Sequence, residues 1–124
     1  MPIKRMGVNL RVFWLDLQGI RLYKTVIMQD TQGYIRVNLS VTGTVQGVGF
    51  RYWTRQKALE LGVHGQVSNN ADGSVDAVFC GVTDAVEKMI RLCAEGPASA
   101  IVDKLKVVSR DFTVHCPGGF RILR

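Results

Sequence analysis

An α+β sandwich, one antiparallel sheet of four strands with two helices on one face, is the architecture this sequence predicts. Three observations predict it. Apolar and polar residues alternate over residues 35–45, a helical period replaces the alternation from Phe50, and the same two signals recur downstream in a fixed order. That order is strand, helix, strand, strand, helix, strand (βαββαβ), the split βαβ arrangement of the ferredoxin-like fold.

In the first strand Ile35, Val37, Leu39, Val41, Gly43 and Val45 fall on one face, and Arg36, Asn38, Ser40, Thr42 and Thr44 on the other. This is the pattern of a half-buried strand. The following helix sets Phe50, Trp53, Ala58 and Leu61 near one side and stops at Gly62. Residues 63–69 and 74–80 read as two strands joined by Asn70-Ala71-Asp72-Gly73, whose Asp-Gly end favours a hairpin. The second helix is expected to be capped by Asp84 with Glu87 three residues on, to bury Val86, Met89, Ile90 and Cys93, and to end at Gly96-Pro97. Residues 101–108 form a fourth strand, and Phe120-Arg121-Ile122 a short fifth segment after the Pro117-Gly118 break.

With 124 residues, 47% of them hydrophobic, the chain can bury one core without staples. No run approaches the roughly 20 apolar residues of a membrane span. The formal charge is +6, of which five basic and two acidic residues in 1–34 account for half. The remaining residues are only mildly basic, which suits a small anion as well as a polyanion. Cys80, Cys93 and Cys116 are odd in number and form no C-x-x-C pair, and His64 and His115 are the two histidines, so no zinc site is expected. Cys80 and Cys93 read as small buried hydrophobes and Cys116 as more exposed. Spacing leaves a single bridge open, and a reducing cytoplasm is the expected setting.

Residues 1–34 stand apart from the 35–124 domain. Arg11, Asp16 and Arg21 interrupt their apolar stretch, which is not the pattern of a secretory signal. Val12-Phe13-Trp14-Leu15 and Thr25-Val26-Ile27-Met28 suit either an added hairpin or a tail, and the segment ahead of Met28 is expected to be dispensable.

The richest stretch is Gly43-Thr44-Val45-Gln46-Gly47-Val48-Gly49-Phe50-Arg51, at the corner between the first strand and the first helix. Small residues let backbone approach a ligand, and unpaired N–H groups at a helix start attract an anion. Arg51 adds a planar, permanently charged fork. Glycine at such a corner also serves plain packing. A lone Arg there is usually solvated, and an Asn before a hairpin is usually a turn former.

The full string resembles the signature of the acylphosphatase family. A second match is Gly65-Gln66-Val67-Ser68-Asn69-Asn70-Ala71-Asp72-Gly73-Ser74-Val75, and the likeness runs from about Ile35 to Arg124. The resemblance implies hydrolysis of the carboxyl–phosphate bond of acyl phosphates, giving a carboxylate and inorganic phosphate. It implies that the backbone N–H groups of Gln46, Gly47, Val48, Gly49 and Phe50 bind the phosphate oxygens. Arg51 would pair with them, and the Asn69 amide would position the attacking water. No metal and no cofactor are implied.

The residue types fit. A carboxylate is a good leaving group, so the reaction needs an in-line water and neutralised phosphoryl oxygens more than a strong acid. Val45, six residues before Arg51, is not the cysteine of a phosphoenzyme-forming loop. Gln66 stands where the family often has an aromatic residue and Ser68 where it often has a basic one, which bears on efficiency rather than on reaction type.

Two other functions compete. Gly47-Val48-Gly49-Phe50-Arg51-Tyr52 loosely resembles the octamer of RRM-type RNA readers, but that octamer belongs in the third strand, where this chain has only Phe79. A non-catalytic anion-binding regulatory module would keep the turn without needing a water-orienting amide. The sequence therefore predicts a monomeric acylphosphatase with a small-molecule substrate and neither nucleic acid nor membrane as partner.

Overall fold

The computed structural model describes residues 33–124. The readings for residues 1–34, the hairpin of 12–15 with 25–28 and the dispensable segment ahead of residue 28, lie outside the described residues up to residue 32. From Tyr34 the elements run β1 (Tyr34–Thr44), α1 (Phe50–Leu61), β2 (His64–Asn69), β3 (Val75–Gly81), α2 (Thr83–Glu95), β4 (Ile101–Thr113) and β5 (Phe120–Leu123). The sheet order is β4-β1-β3-β2-β5.

The first four strands pair antiparallel, as the βαββαβ order requires, with Val37 opposite Phe79 and Val67 opposite Ala77. The fifth segment extends the sheet to five strands by pairing parallel with β2, Gln66 opposite Arg121. The sheet is therefore mixed. The ferredoxin-like core is unchanged by this, because β5 only covers the exposed edge of β2.

Alternation sorts β1 as expected: Ile35, Val37, Leu39 and Val41 are buried against Phe79, Val86 and Met89, while Arg36 to Thr42 on the other face stay at the surface or half-buried. α1 buries Phe50, Thr54 and Ala58, a stripe at i, i+4 and i+8, with Trp53 and Leu61 partly buried beside it. It stops at Gly62, whose left-handed conformation returns its N–H to Ala58 and Leu59. α2 buries Val86, Met89 and Cys93.

Three expectations change. α2 starts at Thr83 after Val82, so Asp84 lies in its first turn instead of capping it. Glu87 is pulled outward by Arg110 of β4, in an ion pair of 2.6 Å, and does not close a capping box. β4 runs five residues beyond the predicted end, because its distal half is held by the ladder to Tyr34–Asn38 while Val108 and Phe112 stay exposed.

A further change concerns Cys80, which is bridged to Cys116 with a Cα separation of 5.7 Å. Cys93 remains a free buried thiol, pushed up to about 12 by desolvation, with the Thr54 hydroxyl opposing part of the shift. It is thus no nucleophile near neutral pH. The bridge closes a sequence separation of 36, and chain entropy assigns such a loop about 3–4 kcal/mol. Reduction, or Cys116→Ser, is expected to lower the unfolding free energy by that amount in urea melts; coincident midpoints with and without reductant would contradict it.

Candidate active site

The corner after β1 owes its shape to glycine. Gly47 and Gly49 take φ of 76° and 79°, in the left-handed region that residues with a Cβ avoid. Gly49 is the N-cap of α1 and has no side chain to cap it. Its carbonyl accepts the Trp53 N–H at 3.0 Å, and the N–H groups of Gln46 to Phe50 donate to no backbone carbonyl among the described residues. Five consecutive backbone donors at the positive end of a helix are the physical content of an anion cradle.

Neighbouring elements hold this turn from both sides. The Gln46 amide Nε2 donates to the carbonyls of Asn70 at 2.7 Å and Ser74 at 2.8 Å, pinning the turn to the β2–β3 hairpin. Ser99 Oγ donates to the Val48 carbonyl at 2.8 Å from the other side. The hairpin is itself braced: Asp72 Oδ1 accepts from the Ser74 N–H and hydroxyl at 2.9 and 2.6 Å, and these bonds hold its carboxyl below the usual carboxylate value. Asn69, the last residue of β2, is thereby set at a fixed height beside the turn.

A cleft of about 180 Å³ lies there, lined by Gly47, Gly49, Phe50, Arg51, Tyr52, Asn69 and the ends of Val45 and Ile122. It brings together Arg51 and Asn69, which are 18 positions apart in sequence and on different elements. Gln46 and Val48 are not among its lining residues: Gln46 spends its amide on the hairpin, and Val48 packs partly against the core. Any part they take is through their N–H groups.

Arg51 does not swing freely. Its Nη1 donates to the Leu123 carbonyl at 3.0 Å, and one turn on, Arg55 Nε donates to the Phe120 carbonyl at 3.1 Å. Two guanidiniums thus clamp α1 to β5, and one of them faces the cleft with its remaining donors. Asn69 Oδ1 is buried and has no hydrogen-bond partner among the described residues. A buried acceptor left unpaired is unusual and costs about 1–3 kcal/mol, and Asn69 nonetheless lines the cleft.

Sequence reasoning missed the Gln46 clamp and the carbonyl tethers of Arg51 and Arg55; at the rim, Tyr52, 63% exposed, is the core or rim aromatic its sequence suggests, and the sequence does not place Ile122 beside it. Only the rim left a trace, in the Phe120-Arg121-Ile122 element. The cleft lining contains no His, Asp, Glu or Cys. Among the described residues no three such side chains gather as a metal site, and no helix is long and apolar enough to cross a membrane.

Fold and cleft define a ferredoxin-like α+β domain with a backbone anion cradle, a guanidinium beside it and a carboxamide facing it. The sequence model of the acylphosphatase family matches residues 37–122. An acylphosphatase of Rhizobium etli is 46% identical over 94 residues, covering 70% of this chain and 98% of that one. One from Nitrobacter hamburgensis is 53% identical over 66 residues, 53% of this chain and 67% of its own. Among solved structures, the acylphosphatase of Coxiella burnetii superposes with a TM-score of 0.66 at 32% identity, over 78% of this chain and 100% of that one. That of Bacillus subtilis gives a TM-score of 0.68 at 27% identity, over 73% and 99%. The chain belongs to the acylphosphatase family, and the hydrolase predicted from its sequence is the activity of that family.

Proposed function

We propose that the chain cleaves acyl phosphates to carboxylate and phosphate by direct in-line attack of a water held by Asn69, the phosphoryl group resting on the N–H groups of Gln46 to Phe50 and on Arg51. The observation that carries this reading is that Gly47, Gly49 and Phe50 of the donor turn, the Arg51 guanidinium and the Asn69 carboxamide line one cleft that has no His, Asp, Glu or Cys. Donors and a cation neutralise the oxygens that carry charge in the transition state. The Asn69 amide at the cleft wall hydrogen-bonds the water and so orients it. With no His, Asp, Glu or Cys lining the cleft, the site suits a leaving group that departs unprotonated, as a carboxylate does.

The volume supports the same substrate class. A cleft of about 180 Å³ falls below the roughly 300–1,000 Å³ of sites that enclose an organic ligand, so it takes a phosphoryl group and leaves the acyl part at the Tyr52–Ile122 rim. Such a site recognises the anhydride and tolerates the acyl chain. No step in this reading needs a metal. RNA binding is disfavoured because Phe79, the aromatic of β3, is buried under the helices.

A monomer in the cytoplasm completes the proposal, with residues 35–124 as the catalytic domain. The Cys80–Cys116 bridge pulls against a reducing compartment. Hydrolysis of benzoyl phosphate in the presence of EDTA tests the function, on the full chain and on one starting at Met28. Comparable metal-free turnover by both is expected. A folded full chain that binds phosphate without turnover would favour the regulatory module, and loss of activity only in the shorter chain would overturn the dispensability of the leading segment.

A further inference from the structure

On the sheet face opposite the helices lies a second and larger cleft, of about 400 Å³. Its floor is Gln66 of β2 with Val78 and Cys80 of β3, and one wall is the segment Pro117 to Gly119. Two arginines line it, Arg36 of β1 and Arg121 of β5, and no carboxylate does. It is large enough to enclose an organic ligand.

Register places the two cations at opposite ends. Arg36 stands level with Cys80 on β3, and Arg121 stands level with Gln66 on β2, two residues further along. Three strand spacings separate β1 from β5 and two residues offset them along the strands, so the two Cα atoms are about 16 Å apart. Each long side chain reaches inward from its end. Asp111 lies opposite Arg36 in the ladder, yet neither arginine is in an ion pair among the described residues. Arg36 spends one donor on the His115 carbonyl at 3.5 Å, which leaves most of its fork open.

The wall is fastened at several points. Cys116 is bridged to Cys80, the Gly119 N–H donates to His64 Nδ1 at 2.9 Å, and the Gly65 N–H donates to the Gly119 carbonyl at 3.0 Å. A cleft whose wall is tied to its floor is already shaped for an occupant, and binding loses little to ordering it. Two guanidiniums that make no ion pair among the described residues, at the ends of a trough lined by no carboxylate, suit an anion at each end.

We propose that this outer cleft binds a small elongated dianion, a dicarboxylate in chemical class, with one carboxylate on Arg36 and the other on Arg121. A single anion such as acetate engages one arginine and gains nothing from the other. The site lies on the far face of the sheet from the catalytic turn and stands whether or not the catalytic reading does.

Amide shifts of the full chain, titrated with succinate, glutarate, adipate and acetate, test it. At least one dicarboxylate should saturate shifts at Gly65, Gln66, Gly118 and Arg121 with an affinity at least tenfold above acetate. Arg36→Gln and Arg121→Gln, both on exposed or half-exposed side chains, should each weaken it tenfold or more with an unchanged melting temperature. Equal response to acetate, shifts confined to Gly47 to Arg51, undiminished binding in both variants, or no saturable response to any dicarboxylate would overturn the proposal.

Discussion

Replacing Arg51 with alanine is expected to remove phosphate binding and turnover together, with a rate loss on the order of 10³–10⁵, the range for arginines that stabilise a transferring phosphoryl group. The guanidinium sits at the N-terminal end of α1 in the same cleft as Gly47 and Gly49. It adds a full charge to a cradle that otherwise offers only partial ones. Arg51→Lys separates charge from geometry. Lysine restores the charge without the fork and without the tether to the Leu123 carbonyl, so it should recover phosphate affinity in part and rate much less. The tether alone is worth about 1 kcal/mol of stability, so both variants should remain folded by circular dichroism. Phosphate binding by Arg51→Ala equal to that of the parent chain would refute the assignment.

Much of this arrangement is legible in the sequence. Periodicity locates α1 to the residue, because Phe50 opens the apolar stripe and Gly62 can end a helix at no steric cost. The strands of the core declare themselves for the same reason: one buried face forces alternation. The expected β4 is too short because its distal half buries neither face, leaving Val108 at 61% and Phe112 at 90% exposure, so alternation there carries no signal. The parallel pairing of β5 with β2 joins residues more than fifty positions apart, and nothing local encodes it.

Side-chain partners are the least legible. Asp84 and Glu87 have capping-box spacing, but Arg110 offers Glu87 a bidentate ion pair that the helix end cannot match. Three cysteines name no pair, since bonding depends on β3 lying under the segment after β4. Within the site, Arg51 and Asn69 each look structural in isolation. What unites them is Gln46, whose amide joins the glycine turn to the hairpin that carries Asn69. Glutamine in that motif is a mechanical link, and its side chain leaves no periodic trace.

Asn69→Ala should behave in the opposite way to Arg51→Ala. Phosphate binding is expected to survive, since cradle and guanidinium are untouched, while turnover falls roughly 100-fold or more, the scale of losing one oriented polar group. Stability should not fall with it. The side-chain oxygen is buried without a partner among the described residues, and deleting an unsatisfied acceptor relieves about 1–3 kcal/mol of desolvation, offset by the weaker packing of a shorter side chain. A variant at least as stable as the parent, able to bind phosphate and nearly inert toward benzoyl phosphate, marks a group kept for reaction at the expense of the fold. Asn69→Asp sharpens the test. A carboxylate there accepts from water as the amide does but repels the phosphoryl oxygens, so phosphate affinity should drop while Asn69→Ala keeps it. If Asn69→Ala instead unfolded the chain, or lost phosphate as completely as Arg51→Ala, the amide would be a brace for the hairpin and the water would need another holder.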